Sequence, residues 1–367
     1  MTDARGADRA PRRASTGPPV VDLARLEELA TARLDAGAAE YINRGAGDGV
    51  TLAANRRAWQ RRLLRPRVLR DVHVVATGGV VLGTEVRAPV LVAPTAMQRL
   101  AAPDGERATA RAAARAGTVM VVSMAASCSL EEVAAAAPGA PRWAQMYLLR
   151  DRGRTRALAE RAAEAGYTAV VASVDGAAVP HGDHGGATPP GLAFPNLAPP
   201  GRPGDGDLLA TLADFDAGVT AADLARFREW SGLPLVVKGV LRGDDARAGV
   251  DAGAAGVVVS NHGGRIVDGS VATGDVLPEV VDAVGGDAEV YVDGGIRGGA
   301  DVVKALALGA RAVMVGRPAV WGLALDGEEG VVAVLDALTR DLGRVMAFCG
   351  AADLSAVTRD LLASASP

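Results

Sequence analysis

The segment SNHGGR, Ser260 to Arg265, places a histidine, two glycines and an arginine directly after an apolar run. An imidazole takes and returns a proton near neutral pH, which suits His262 to general-base work. The glycines let a small molecule approach the backbone closely, and the planar Arg265 guanidinium matches a carboxylate. Standing alone, the segment fits a solvated surface loop equally well. A second segment changes the balance. VDGGIRGGADVVKALALGARAVMVGR, residues 292 to 317, carries glycines and an arginine after one apolar run, then a stretch of helical length, then Gly316 and Arg317 after another. Backbone N–H groups and arginines at such turns are the usual way a barrel enzyme holds a phosphate.

These residues need a scaffold that brings distant turns to one place. From residue 89 onward, short β-branched runs recur, each followed by a turn and an amphipathic stretch. The runs are PVLVAP at 89, TVMVVS at 118, RWAQMY at 142, TAVVASVD at 168, LPLVVKG at 233, AGVVVSN at 255, AEVYVDGG at 288 and RAVMVGR at 311. Nearly unbroken apolar runs suit parallel strands buried on both faces, and eight of them with intervening helices predict an α/β fold of the closed (β/α)8, or TIM, barrel type. Ser123, Gln145, Tyr147, Asp175, Lys238, His262, Asp293 and Arg317 then all fall at or just past strand C-terminal ends, where barrels place chemistry.

Upstream, VDLARLEELATARLDAGAAEYI has apolar residues at helical spacing and predicts an N-terminal helical accessory segment that ends at RGAGDG. The expected organisation is a disordered leader over 1–19 and one barrel domain over 20–365. A long Gly- and Pro-rich excursion over 176–219 is expected to form a lid-like loop before the helix TAADLARFREW. Two cysteines form neither a CxxC pair nor a disulfide framework, which points to a reducing, cytoplasmic setting. A net charge of −4 argues against nucleic acid as a partner, and no apolar run is long enough for a membrane span. The HGDH cluster, His181 to His184, contains metal-ligand residue types, but its spacing matches no common zinc pattern and no metal is expected.

Taken in order, EYINRGAGD, APTAMQRLAAPDGE, WAQMY, LVVKGV, SNHGGR, DGGIR and GRP resemble the FMN-dependent 2-hydroxy acid oxidases and dehydrogenases. That family includes glycolate oxidase, lactate oxidase, mandelate dehydrogenase and hydroxymandelate oxidase. The resemblance implies bound FMN, a 2-hydroxy acid as substrate, dioxygen or another electron acceptor, and a homo-oligomer, tetramers being common among relatives. It implies that His262 is the base, that Asp175 orients it, and that Tyr147 meets the hydroxyl or oxo group. Arg265 and Tyr41 would hold the carboxylate, and Lys238 would stand beside the flavin. Pro94, Thr95 and Ala96 would lie under the ring, with Ser123, Gln145, Ser173 and Ser260 around it. Asp293 would bind the ribityl chain, and Gly294, Gly295, Arg297, Gly316 and Arg317 would take the phosphate end.

Two departures from the family pattern bear on the substrate. Relatives follow the fourth strand with a motif like TPRLGRRE, whose last arginine is a second carboxylate clamp, whereas here Asp175 is followed by GAAVPHGDHGG. By direct count the arginine's place is taken by Gly182, with His181 and His184 nearby. Ala125 stands where several relatives carry Trp or Leu facing the substrate side chain. Both changes favour a bulky or aryl 2-hydroxy acid. The lost clamp also leaves open a 2-amino acid, a carrier-bound 2-hydroxyacyl group, or a flavin-binding protein without turnover.

Overall fold

The computed structural model describes residues 22–176, 192–198 and 208–363. Its eight expected apolar runs all form strands: β3 Val90–Val92, β4 Met120–Ser123, β5 Arg142–Met146, β6 Ala169–Ser173, β7 Leu235–Val240, β8 Gly256–Val259, β9 Glu289–Val292 and β10 Ala312–Val315. They close a parallel barrel in sequence order, with β10 pairing back onto β3. Alternate side chains explain both faces. Leu91, Val121, Trp143, Val171, Val236, Val258, Tyr291 and Met314 fill the interior, while their neighbours pack outward against the helices. Trp143 and Tyr291 meet edge to face at 5.4 Å, so the barrel is a packed core and chemistry is confined to its mouth.

A hairpin absent from the sequence reading precedes the barrel. It pairs β1 Gly79–Val81 with β2 Thr84–Val86. Val81 and Val86 join the interior cluster and Glu289 accepts a bond from Leu82 N at 3.1 Å, so the hairpin packs against the barrel core. The accessory segment is helical, as expected. It is two helices, Leu26–Arg33 and Ala36–Asn43, broken where Asp35 turns extended and caps the second by accepting from Ala38 N at 2.8 Å. A third helix follows at Val50–Arg61.

Within 176–219 the described parts are not a free excursion. Phe194 and Leu197 are buried, and Asn196 bonds both Leu130 N and the Cys128 carbonyl at 2.9 Å. A short helix, Leu208–Ala213, precedes Asp214 and Asp216, which pair with Arg154 and Arg152 beyond β5. The helix predicted at TAADLARFREW is present as Ala221–Ser231. His181, Gly182, His184 and the 1–19 leader lie outside the described residues. No helix among the described residues is long and apolar enough to cross a membrane.

Candidate active site

The SNHGGR turn leaves β8 with three successive left-handed residues, His262 at φ 58°, Gly263 at 66° and Gly264 at 76°. Glycine is required at the third: a Cβ there would stand 2.7 Å from Leu52 N. The turn thereby packs on the start of helix Val50–Arg61, and Ala46 N donates to the Gly264 carbonyl at 2.8 Å. Asp268 completes the join by accepting from Asp48 N and Thr51 N at 2.9 and 2.8 Å. His262 holds a conformation uncommon for a residue with a side chain, as is frequent where chemistry fixes the backbone.

His262 Nδ1 lies 3.1 Å from Asp175 Oδ2. Burial alone would raise the Asp175 carboxyl, but the neighbouring His262 and Lys238 outweigh it and hold it below the ordinary carboxylate range. Asp175 therefore accepts a proton-bearing Nδ1, which leaves Nε2 as the basic nitrogen. The approach depends on Gly239, at φ 107° beside the irregularity in β7, because a Cβ there would meet Asp175 at 2.6 Å.

Lys238, 3% exposed, donates to Ser260 Oγ at 2.8 Å and pairs with Asp293 Oδ2 at 3.3 Å. Burial opposes its charge, but Asp293 and then Asp175 raise its pKa overall, so the ammonium persists. Gln145 Nε2 donates to Ser173 Oγ at 3.1 Å, and Ser123 Oγ receives Ala125 N at 3.2 Å. Tyr147 lies one residue past β5, where burial, then Asp175 and Tyr41, push its phenol well above the ordinary value. It stays a donor. Arg265 sits over the Tyr41 ring at 4.9 Å, with Nη1 bonded to the carbonyls of Tyr41 and Arg44. His262 is thus paired with Asp175, and Arg265 with Tyr41.

On the phosphate side, Arg317 donates to the carbonyls of Ile42, Gly263 and Arg44, and Arg297 stacks on Trp321 at 4.7 Å. Neither has a carboxylate partner among the described residues. Burial, then the neighbouring Arg265 and Arg297, depresses Arg317 to about 9, and burial, then Arg56, depresses Arg297 to about 10. Such crowded guanidiniums fit an anion. Gly294 and Gly295, at φ 87° and 81°, and the start of the helix that opens at Arg317 add backbone donors to this corner. Among the described residues Asp293 Oδ1 is buried with no partner, which suits an acceptor for a ligand hydroxyl. The residues present fit FMN.

Several supporting residues escaped the sequence reading. Buried Glu106 accepts from Gln98 N, Ser127 N and Ser127 Oγ at 3.0, 2.9 and 2.7 Å, while Gln98 Nε2 bonds Thr95 Oγ1 at 2.8 Å. This explains the APTAMQRLAAPDGE motif: its distal glutamate braces both the Pro94–Thr95–Ala96 turn and the turn carrying Ala125. Asn55 and Asn261 exchange side-chain bonds at 2.8 and 2.9 Å, and Trp59 Nε1 donates to the Gly294 carbonyl at 2.8 Å. Only the proximity of SNHGGR and DGGIR to a shared ligand could have hinted that one helix ties both. Phe215, which stacks on Tyr147 at 4.4 Å, was also missed.

A His–Asp pair and two buried arginines thus stand just beyond the strands of a closed parallel barrel flanked by helices. Residues 30–364 match the family described as FMN-dependent dehydrogenase. The chain is 45% identical over 356 residues to the L-lactate oxidase of Nostoc sp., covering 93% of this chain and 98% of that protein. It is 42% identical to 2-hydroxyacid oxidase 1 of Mus musculus, covering 94% and 97%. A crystal structure of mandelate oxidase with benzoyl-formic acid superposes at a TM-score of 0.84, with 40% identity, over 93% of this chain and 97% of that one. The chain belongs to the FMN-dependent 2-hydroxy acid oxidase family, and it is an FMN-dependent oxidoreductase acting on CH–OH groups.

Proposed function

We propose that the chain oxidises a bulky, aryl-substituted 2-hydroxy acid to the 2-oxo acid, with dioxygen or another acceptor completing the cycle. The observation that carries this reading is His262 Nδ1 held 3.1 Å from an ionised Asp175, and the family resemblance adds that Ala125 stands where several relatives carry Trp or Leu. FMN, when bound, supplies the two-electron acceptor that no side chain here provides. His262 Nε2 takes the substrate hydroxyl proton as the C2–H bond breaks, and Asp175 stabilises the imidazolium that forms. The Tyr147 phenol, held protonated, donates to the substrate oxygen. Arg265, with Tyr41, binds the carboxylate and fixes C2. Lys238 places permanent positive charge beside the bound cofactor, where added negative charge would otherwise be costly in a buried site. Pro94, Thr95, Ala96, Ser123, Gln145, Ser173 and Ser260 surround the ring, Asp293 takes a ribityl hydroxyl, and Gly294, Gly295, Arg297, Gly316 and Arg317 take the phosphate.

Turnover of mandelate should yield phenylglyoxylate, trapped as its hydrazone in one-to-one ratio with acceptor consumed. Oxidation of an aryl 2-amino acid in its place, with release of ammonia, would overturn the hydroxy acid assignment.

The cradle makes a separate prediction. Stripped of FMN, the protein should gain thermal stability from inorganic phosphate, by about 2.7 kcal/mol at a hundredfold excess over Kd. Arg317→Met should remove most of that gain, measured as the phosphate-dependent rise in Tm. An equal rise in the variant would mean that the anion binds elsewhere.

The same reading includes a homo-oligomer in a cytoplasmic setting. It is supported by the exposed apolar residues Leu63, Val68, Leu69, Val74 and Phe348, and by Cys128 and Cys349 as buried free thiols.

A further inference from the structure

The side chains of Asn55 and Asn261 meet in the interior, 1% and 6% exposed. Asn55 Nδ2 donates to Asn261 Oδ1 at 2.8 Å, and Asn261 Nδ2 returns a bond to Asn55 Oδ1 at 2.9 Å. Backbone groups fix which way each amide points. Asn261 Oδ1 also accepts from Gly264 N at 3.2 Å, Asn261 Nδ2 donates to the Val271 carbonyl at 3.0 Å, and Asn55 Oδ1 accepts from Thr273 N at 3.2 Å. Asn261 immediately precedes His262, so its bond to Gly264 N spans the three left-handed residues 262–264. Its partner stands on a helix that is itself tied down. Arg56 and Trp59 donate to the carbonyls of Gly295 and Gly294, and Thr273 Oγ1 donates to the Asp293 carbonyl at 2.6 Å. A left-handed backbone is unfavourable for a residue with a Cβ and persists where its surroundings over-determine it.

We infer that Asn55 is a positioning residue for the reaction: its paired bonds with Asn261 hold the turn that presents the His262 imidazole and register that turn against residues 293–295 beyond β9. This rests on the proposed role of His262 as the base. Asn55 acts neither by charge nor by touching the reacting atoms. It supplies one donor and one acceptor, in the right order, to a partner shut off from water. The reverse order would set two oxygens against each other where solvent cannot relieve the cost.

Asn55→Asp spoils that order at one atom and lets pH restore it. Protonated, the introduced carboxyl can donate where Nδ2 did and accept where Oδ1 did, whereas ionised it turns an oxygen toward Asn261 Oδ1. Burial raises the pKa of such a carboxyl. The charged groups on the surrounding elements are engaged elsewhere: Arg56 with Asp301, Asp275 with Arg61 and Arg62, His262 with Asp175, Asp293 with Lys238, Arg265 with the carbonyls of Tyr41 and Arg44, and Asp268 with two backbone N–H groups. The Tm of the FMN-loaded variant, compared with wild type at each pH, should therefore match at low pH and fall as pH rises through the raised pKa, because the folded state then loses the protonated form it needs. Over the same range the rate of flavin reduction by the faster of lactate and mandelate, again relative to wild type, should fall about tenfold, a fraction of the hundredfold that a displacement of about 1 Å can cost. The visible spectrum should show FMN still bound. Asn55→Ala should lower the rate at every pH without that dependence, and combined with Asn261→Ala it should cost little beyond either change alone. If Tm falls while the relative rate stays level, the pair is a structural tie only and the inference is overturned. It is equally overturned if Asn55→Asp matches wild type in both measures at every pH. His262→Ala in the same assay tests the base assignment by itself: if it abolishes reduction while the relative rate of Asn55→Asp stays level, the base assignment stands and the role of Asn55 falls.

Discussion

His262→Ala should retain FMN yet lose flavin reduction by about 10²- to 10⁴-fold, the range typical of removing a positioned general base. The separation of binding from chemistry follows from the contacts. Lys238, Ser260 and Asp293 bond to one another without the imidazole, and Arg297 and Arg317 are held by carbonyls and Trp321. The backbone of residue 262 would still donate to Ser260 Oγ, a bond of 3.1 Å that alanine preserves. What disappears is the imidazole that pairs with Asp175. The visible spectrum reports bound FMN and stopped-flow mixing reports reduction. Reduction at nearly the wild-type rate would place the base elsewhere.

The second large effect is on substrate ranking, with kcat/KM rising steeply from glycolate and lactate to mandelate and longer 2-hydroxy acids. Loss of one charged contact to a carboxylate costs about 1.5 to 3 kcal/mol, roughly ten- to more than a hundredfold in binding. Glycolate has no side chain with which to recover that loss. An aryl ring burying on the order of 100 Å2 recovers about 2.5 kcal/mol at ~25 cal/mol per Å2, which offsets most of it. Ala125 is held firmly, since its carbonyl accepts from Met97 N at 3.3 Å and its N–H donates to Ser123 Oγ at 3.2 Å, which ties the two turns together. Ala125→Trp should therefore reduce activity on mandelate while changing activity on lactate far less. Steady-state assays of both acids with both proteins settle the ranking, and a greater kcat/KM for glycolate than for mandelate would contradict it.

The barrel strands were legible because burial on both faces demands unbroken β-branched runs, as in VVASV and GVVVS. The strand-end positions of His262, Asp175 and Lys238 were legible because barrels gather polar residues there, while the roles proposed for them come from the family resemblance. Other features carry no local mark. The helix Val50–Arg61 reads VTLAANRRAWQR, too polar for a clear apolar stripe, because several of its polar residues face protein loops rather than water: Asn55, Arg56 and Trp59 bond Asn261, Gly295 and Gly294. The β1–β2 hairpin was hidden by its brevity and by Leu82 in a left-handed turn that ordinarily selects glycine. Phe215 looks like any aromatic between two aspartates until the fold stacks it on Tyr147.

The most direct test of the account is anaerobic mixing of the FMN-bound protein with a panel of 2-hydroxy acids from glycolate to aryl and long-chain members, watching the flavin absorbance. The account predicts full bleaching with the aryl acids, fast in the wild type and slowed by orders of magnitude in His262→Ala. If no member of the panel bleaches the flavin, or if His262→Ala bleaches as fast as the wild type, a 2-hydroxy acid oxidised through the His262–Asp175 dyad is not what this site turns over.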